Sequence, residues 1–383
     1  MKVLIVPMLA VAQTEGPFSR SKILANACLE KRIQVAFCME AATNKPVNGA
    51  ICYPLSVPVP MGLPKWLGLR TYPLADKLGI IGRKTVHSFE EVLYLTGSNA
   101  YPYLKSSIDE IRSAIRDFSP DVVYSEFNLS AIIAANAENI PVLASYSFPA
   151  QDTYATSPQF AGGFNKILKR LGQPPVTSSL ELFQRTDCRI IPSSSMLEPV
   201  SGDKILFVGP FKRIPPIQTS EHKNCILVYL GNGTVSKKRI RKVIFEAFRS
   251  TPYEVYLAGM PNQEDYGNIH IAQRFNFSEL LPKTVVYINH GGQNSIMDGF
   301  LYGIPQLICP GKVFERKYNA DSVVNNKAGL AIDLSKFQAD ILSATVEHLI
   351  SNEGFGNNAT ELGRSFSSLG GADAVADYII RHY

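Results

Sequence analysis

The sequence predicts an α/β protein of two domains, each built around a parallel sheet. Three observations support this prediction. Short runs of β-branched and aromatic residues alternate with helix-like segments along almost the whole chain, a pattern typical of parallel strands joined by helical crossovers. The length of 383 residues fits two domains of ordinary size. The alternation is interrupted at KRIPPIQTSEHKN, residues 212–224, where two prolines and several polar residues indicate a linker.

The order of the elements sets the expected domain boundaries. Strand-like runs lie at 2–6, 34–39, 121–125, 141–145 and 188–192, with helices expected near 19–31, 101–118 and 128–138. After the linker the alternation restarts at CILVYLG and continues to helices expected at 235–249, 315–325, 338–351 and 372–382. We therefore expect a first domain at 1–210 and a second at 223–365. The C-terminal helical segment, 366–383, should pack back on the first domain.

The N-terminal stretch MKVLIVPMLAVAQ has features of a signal peptide: one lysine, an apolar run and an A-x-A sequence at residues 10–12. KVLIVP also fits a buried strand, and a helix-like run and a second strand-like run, QVAFCM, follow it. Cleavage after Ala12 would remove the first strand of this β-α-β unit. We therefore predict that the stretch is a strand of the folded protein.

Composition excludes several classes of protein. The chain is 45% hydrophobic and 19% charged, and its formal net charge is +5, a mild basic excess without the clustering of a nucleic-acid-binding protein. No apolar run approaches the ~18–20 residues that span a bilayer. The six cysteines are scattered without a C-x-x-C pair, and four of them lie in apolar, strand-like runs. This usage favours free thiols in a protein of the reducing cytosol.

Residues 54–100 depart from the alternating pattern. Within them, the segment 57–84 is rich in proline, contains the single tryptophan, Trp66, and carries several lysines and arginines. Long irregular insertions on α/β domains often cover a site or contact a partner. The segment is therefore a packed surface excursion, a cover over the acceptor cleft, or a contact with a membrane surface.

The stretch INHGGQNSIMDG, residues 288–299, carries the clearest chemistry. It places a histidine and two glycines between the strand-like run TVVYIN and a helix expected from Asn294. Ligands of open α/β sheets bind outside the carboxyl ends of strands, and a helix N-terminus there offers N–H groups and about half a positive charge to a diphosphate. His290, Asn294 and Ser295 would add side-chain donors. The alternative is a plain glycine turn with a capping asparagine.

Other segments fit the same ligand. Asp298 lies one helical turn beyond Ser295, where a carboxylate could accept hydrogen bonds from ribose hydroxyls. YLGNGTV, residues 229–235, is another strand-to-helix turn whose glycines and Thr234 could close over the phosphates. RFNFSELLPKT could stack Phe275 on a base. PGKVFERKYNADS opens a helix with Glu315 and Arg316 just beyond a strand end.

In this order and spacing, these residues resemble the nucleotide-sugar-dependent glycosyltransferases of family 1, the group that contains macrolide and plant natural-product glucosyltransferases. The family pattern is H-G-G-x-N-S-x-x-E, then G-[VI]-P, then P, then D-Q-x-x-N-A. This chain has HGGQNSIMD at 290–298, GIP at 303–305, Pro310, and ERKYNA at 315–320. The resemblance covers almost the whole chain.

The resemblance implies the GT-B architecture, two facing Rossmann-like domains with parallel sheets and an interdomain cleft, with the donor held by the C-terminal domain. It implies inverting, metal-independent transfer from a UDP- or dTDP-sugar to a small acceptor, with the nucleotide sugar as co-substrate and no other cofactor. The absence of a D-x-D sequence is consistent with this. Together with the turns above, the predicted donor-binding residues are Gly231, Thr234, Phe275, His290, Gly291, Gly292, Asn294, Ser295, Asp298, Glu315 and Arg316.

Two departures from the family pattern bear on specificity and mechanism. The sugar-reading D-Q is Glu315-Arg316, so Arg316 either favours a donor with a carboxylate or pairs with Glu315. The family writes G-H-x-x-P after the first strand, where the histidine deprotonates the acceptor, whereas this chain has Pro17 at that place. We predict Glu126, in PDVVYSEF, as the general base, with Glu15 as the fallback. Glu126 could instead cap the helix that follows.

The sequence therefore predicts a glycosyltransferase that acts on a natural-product-like or lipid-like acceptor. Two other hypotheses remain open. The chain could be a transferase-like partner subunit that binds nucleotide but has lost its base. It could also be a sugar-nucleotide epimerase of the same architecture.

Overall fold

The computed structural model describes the chain except residues 11–14, 41–46, 65, 69, 71–73, 75–83, 152, 213–222 and 232–234, and it describes no side chain for Glu15 or Ser367. The chain divides into two compact units. Unit 1 comprises Met1–Leu74, His87–Lys212 and Leu369–Tyr383, and unit 2 comprises Ala75–Val86 and Arg213–Ser368. Residues 75–86, which the sequence placed in the first domain, thus belong to unit 2.

Unit 1 is built on a seven-stranded parallel sheet of order β3-β2-β1-β4-β5-β6-β7. The strands are β1 Lys2–Pro7, β2 Gln34–Met39, β3 Ile51–Pro54, β4 Val122–Glu126, β5 Val142–Ser145, β6 Cys188–Ile191 and β7 Ile205–Phe207. Among the described residues, the helices of this unit whose bounds are defined before the final one are α1 Glu15–Glu30, α2 Phe89–Thr96, α3 Tyr101–Phe118, α4 Leu129–Ala137 and α5 Gly162–Arg170.

The N-terminal stretch forms an interior strand of this sheet. β1 pairs with β2 on one side and β4 on the other, and Val3 to Val6 are 0% exposed. A parallel strand covered on both faces is a continuous apolar run, which explains why the same letters imitate a signal peptide.

Unit 2 is built on a second seven-stranded sheet, of order β10-β11-β9-β8-β12-β13-β14, parallel except for the β10–β11 hairpin. The strands are β8 Cys225–Tyr229, β9 Glu254–Ala258, β10 Glu264–Tyr266, β11 Ile269–Ala272, β12 Thr284–Asn289, β13 Gln306–Ile308 and β14 Gly329–Ala331. The helices are α6 Lys237–Phe248, α7 Phe277–Leu280, α8 Gln293–Leu301, α9 Phe314–Asn325, α10 Ala339–Ser351 and α11 Glu353–Ser367.

The final helix, α12 Gly371–His382, belongs to unit 1. Asp377 on α12 accepts a salt bridge from Lys31, just after α1, at 2.6 Å, and the Gly371 N–H donates to the Val208 carbonyl. Ile379 is 0% exposed and lies in the same apolar cluster as Leu24 of α1. Within the described ranges, no helix combines the length and hydropathy needed to cross a bilayer.

α11 was missed at the sequence level because three glycines lower the helix propensity of EGFGNNATELGRSFS. Tertiary packing accounts for one of them. A Cβ atom at Gly363 would lie 2.1 Å from the Phe300 carbonyl oxygen of α8, so a glycine permits the close approach of the two helices. The glycine therefore serves packing rather than helix formation.

Candidate active site

The predicted phosphate turn lies where the strand order of unit 2 reverses. β8 and β12 are neighbours, with Asn289 opposite Tyr229, and the chain leaves them toward opposite sides of the sheet. Such a switch point leaves a crevice at the carboxyl ends of the strands, where α/β proteins bind ligands. Gly231 follows β8 and His290 follows β12, so two turns predicted separately meet at one place.

The His290 ring packs between these two turns. A Cβ atom at Gly231, whose φ is 61°, would lie 3.3 Å from ring atoms of His290. A Cβ atom at Gly292 would lie 2.6 Å from the ring's Nε2. The other ring nitrogen, Nδ1, lies 3.4 Å from the Tyr229 carbonyl oxygen. Both glycines are therefore required by the ring, and Nε2 is the nitrogen that faces them.

His290 is electrically neutral at neutral pH. Burial and, to a smaller extent, the nearby positive charge of Arg316 lower the pKa of the imidazole to about 3, although the contact with the Tyr229 carbonyl opposes both effects. A carbonyl only accepts hydrogen bonds, so the neutral ring carries its proton on Nδ1. Nε2 then presents a lone pair to the glycine turns.

Two buried amides hold the turn in place. The Asn289 Oδ1 accepts the Gly291 N–H at 2.8 Å, and its Nδ2 donates to Gln306 Oε1 at 2.9 Å. The Asn319 Nδ2 donates to the Gly291 carbonyl at 2.7 Å. Sequence reasoning overlooked Asn289 and Gln306, both 0% exposed. The available signal was a polar residue at the start of the apolar strand QLI.

The first turn of α8 provides the rest of the predicted phosphate site. Gly292 is the N-cap, with no side-chain cap, and Asn294 and Ser295 follow it. The N-terminal end of a helix carries about half a positive charge. One turn on, burial raises the pKa of the Tyr302 phenol and the Asp298 carboxylate raises it further, which places Asp298 near that phenol.

The remaining predicted donor residues are distributed around this turn. Glu315 and Arg316 lie in the first turn of α9, where the Arg316 carbonyl oxygen is 2.9 Å from the Cβ position of Gly291. Phe275 contacts Tyr256 of β9 edge-on, with ring centroids 5.4 Å apart. Thr234 lies outside the described residues.

The switch point of unit 1 lies between β1 and β4, where Pro7 is opposite Glu126. The Glu126 side chain is 0% exposed and both oxygens accept hydrogen bonds. Arg20 of α1 binds Oε1 at 2.6 and 2.7 Å, and Ser145 and Tyr124 hydroxyls lie 2.5 and 3.4 Å from Oε2. Glu126 is thus half of a buried ion pair.

Glu126 does not cap the helix that follows it. Asn128 is the N-cap of α4, and its side chain accepts the N–H groups of Ser130 and Ala131. Between them, Phe127 has a φ of 56°, a strained value for a bulky residue, and Arg20 lies over its ring at 5.7 Å. The capping interpretation is therefore wrong.

The residues after β1 and β4 line a small cavity inside unit 1. Its walls are mainly apolar, with an amide and hydroxyls among them, and include Met8, Leu9, Phe127, Asn128 and Phe164. Glu15, the fallback base, is the first residue of α1. Glu126 and Glu15 as general bases stay predictions.

Comparison with known proteins shows which proteins the chain is similar to. Residues 260–379 match the model described as the C-terminal domain of erythromycin biosynthesis protein CIII-like proteins. The chain is 22% identical over 301 residues to NDP-glycosyltransferase YjiC of Bacillus subtilis (strain 168), an alignment that covers 71% of this chain and 75% of the relative. These matches relate the chain to the family 1 glycosyltransferases.

Solved structures show the fold of the chain. The glycosyltransferase of kitacinnamycin matches 99% of this chain with a TM-score of 0.75 and 19% identity, over 98% of its own length. The spinosyn rhamnosyltransferase SpnG complexed with thymidine diphosphate matches 99% of this chain with a TM-score of 0.70 and 14% identity, over its full length. The prediction of two parallel-sheet α/β domains of the GT-B type is confirmed.

Two chemical features of this chain depart from the family 1 pattern. Arg20 and Glu126 form an ion pair where the pattern predicts a histidine near a carboxylate. Arg316 brings a positive charge to the phosphate turn in place of a glutamine. Among the described residues, no cluster of histidine, cysteine and carboxylate side chains has the arrangement of a metal site.

Proposed function

We propose that the protein transfers a sugar, with inversion and without a metal ion, from a UDP- or dTDP-sugar to a small acceptor. The observation that supports this most is the phosphate turn of unit 2. It combines a helix N-terminus, two glycines that leave room for the His290 ring, and the Nε2 of that ring, which faces those glycines. Fixed donors at this place would stabilise the charge of a departing nucleoside diphosphate.

The chemistry requires one bond to form and one to break. The acceptor oxygen attacks the anomeric carbon from the face opposite the diphosphate, and the bond from that carbon to the diphosphate oxygen breaks. The electron pair leaves with the nucleotide, where the phosphate turn receives the added charge. The acceptor proton must pass to a base, for which we retain Glu126 and Glu15 as candidates. Glu126 would need to break hydrogen bonds first.

The nucleotide assignment is supported by the relatives. The name of YjiC specifies an NDP donor, and a structure of SpnG holds thymidine diphosphate. The identity of the donor sugar can be tested at Glu315 and Arg316. A carboxylate-bearing sugar would pair with Arg316, whereas an internal Glu315–Arg316 pair would leave neutral hexoses and deoxyhexoses as donors.

A donor panel followed by an acceptor screen tests the proposal. A donor at about 100 times its dissociation constant should stabilise the protein by about 2.7 kcal/mol, which a thermal-shift assay detects. With the best donor, we expect free UDP or dTDP to appear only when an acceptor is also present. Donor binding without release for any acceptor would favour the partner-subunit hypothesis, and conversion of the donor sugar without an acceptor would favour the epimerase hypothesis.

We also propose that residues 57–84 contact an anionic membrane surface, where a lipid-like acceptor would be found. Large apolar side chains are exposed here: Trp66 by 69%, Leu74 by 57% and Met61 by 47%. Residues 41–75 contain three basic and no acidic residues. A tryptophan among basic residues suits the headgroup region of a bilayer.

Liposome co-sedimentation tests this contact. Wild-type protein should pellet with vesicles that contain phosphatidylserine at low salt and much less at high salt, because the attraction is screened. Trp66→Ser should reduce the bound fraction. Tyr154→Ser is the matched control, since Tyr154 is an exposed aromatic residue of the same unit, 39% exposed. An equal loss in both variants, or no binding by wild type at low salt, would remove the membrane proposal.

The state of the cysteines bears on the compartment of the protein. All six cysteines are free, and five of them are buried. We therefore place the protein in the reducing cytosol, where free thiols persist.

A further inference from the structure

A short segment from the first half of the chain completes the donor-side unit. We name Lys84–Val86 the strap; it belongs to unit 2. The Val86 N–H donates to the Lys312 carbonyl at 2.9 Å, and the Phe314 N–H donates to the Val86 carbonyl at 3.0 Å. These two bonds form a parallel bridge between Val86 and Val313.

The strap provides a hydrogen-bond acceptor for the first N–H group of α9. Helix N-termini leave N–H groups that need acceptors from outside the helix. The N-cap of α9 is Val313, which makes no side-chain cap hydrogen bond. The Val86 carbonyl accepts the N–H of Phe314, the first residue of α9. A segment more than 200 residues away in sequence (86 against 314) therefore caps this helix through its backbone.

The same helix turn contacts the phosphate turn on its other side. The Arg316 carbonyl oxygen approaches Gly291 so closely that a Cβ atom there would lie 2.9 Å from it. One turn later, Asn319 donates to the Gly291 carbonyl at 2.7 Å. Glu315 and Arg316 are thus carried by a turn that is attached to the strap at its beginning and to the phosphate turn through its later residues.

We infer that the strap is a positioning element for donor-sugar selection: its bridge to Val313 sets where Glu315 and Arg316 lie relative to the phosphate turn. The inference rests on the proposed function, because it assumes that these two side chains read the sugar. The diphosphate is held by the turn itself, so the strap should affect the sugar much more than the nucleotide.

Proline substitutions can remove the bridge without removing the helix. Phe314→Pro deletes the N–H that bonds to Val86, and proline is favoured at the first position of a helix. Val313 precedes it with φ −101° and ψ 127°, the extended conformation that a residue before proline adopts. Val86→Pro deletes the other donor. The matched control, Val86→Ala with Phe314→Ala, shortens the same side chains and retains both N–H groups.

We expect the double proline variant to raise the donor KM and to reduce kcat/KM for the best nucleotide sugar by about tenfold, a loss equivalent to about 1.4 kcal/mol. Its discrimination between two donors that differ only in the sugar should shrink by a similar factor. The dissociation constant for the free nucleoside diphosphate should stay within about threefold, because the phosphate turn is retained. The double alanine variant should remain near wild type in all three measurements.

Hydrogen exchange of the α9 amides provides a readout that needs no donor. Faster exchange at residues 315–318 in the proline pair, but not in the alanine pair, would support the strap even if the protein proved inactive. Such inactivity would count against the proposed function alone. Unchanged exchange, unchanged donor discrimination, or an equal effect in the alanine pair would each overturn the inference.

Discussion

Glu126→Gln is expected to destabilise the protein by about 3–5 kcal/mol and to lower turnover at least about 100-fold. The loss of stability follows from the burial of both partners: Arg20 is 8% exposed and Glu126 is 0% exposed. Removing one charge leaves the other in a low-dielectric site without its counterion. The loss of turnover is expected from the role of Glu126 as candidate base, since removal of a general base typically costs about 10²–10⁴-fold. Urea unfolding and initial-rate assays measure the two effects separately.

A second variant separates structure from catalysis. Arg20→Met with Glu126→Gln removes both charges, and neutral replacements of a buried ion pair are often tolerated. We expect this double variant to regain most of the lost stability. Recovery of turnover as well would assign Glu126 a structural role, since both of its oxygens accept hydrogen bonds and its side chain does not reach solvent.

A stable double variant that stays at least about 100-fold slow would instead show that Glu126 is the base. Nucleotide affinity is the folding control for both variants. Glu126 lies in unit 1 and the phosphate turn in unit 2, so we expect unchanged dissociation constants for UDP and dTDP.

The contrast between the two sites shows what a sequence encodes locally. The phosphate turn is a contiguous stretch in which a buried strand, two glycines and a helix start follow one another, so residue type and order predicted its geometry. The Arg20–Glu126 pair joins residues 106 positions apart. Nothing near either residue indicates that their charges meet, and the pairing depends on how α1 packs against the carboxyl end of β4.

The strap illustrates the same limit at the level of the backbone. A bridge between Val86 and Val313 uses only N–H and carbonyl groups, which every residue except proline possesses. No pattern of side chains in the sequence therefore predicts this bridge. The network of Asn289 and Gln306 is an intermediate case, because a polar residue in an apolar strand was visible although its partner was not.

His290→Ala is expected to weaken the binding of UDP and dTDP by about 10- to 100-fold, since hydrogen bonds to charged groups contribute about 1.5–3 kcal/mol. Isothermal titration calorimetry measures the change. His270→Ala is the matched control: it makes the same substitution in unit 2, at a histidine bound to Asp265 and Glu254 instead of the turn. Unchanged affinity in His290→Ala, or equal losses in both variants, would contradict the assignment of the diphosphate to this turn.

The pH dependence of binding tests whether a protonated His290 donates a hydrogen bond to the diphosphate. Burial and Arg316 lower the pKa of free His290 to about 3, and its proton at neutral pH is on Nδ1. Nε2 must therefore gain a proton before it donates to a phosphate oxygen. Binding then takes up a proton, so affinity should rise as pH falls toward the free pKa and decline as pH rises.

A nucleotide sugar is the correct probe, because its diphosphate lacks the terminal phosphate group of UDP, which titrates near pH 6. Wild-type affinity that does not change with pH would exclude donation from a protonated imidazolium, whereas a slope that disappears in His290→Ala would assign the proton to this ring.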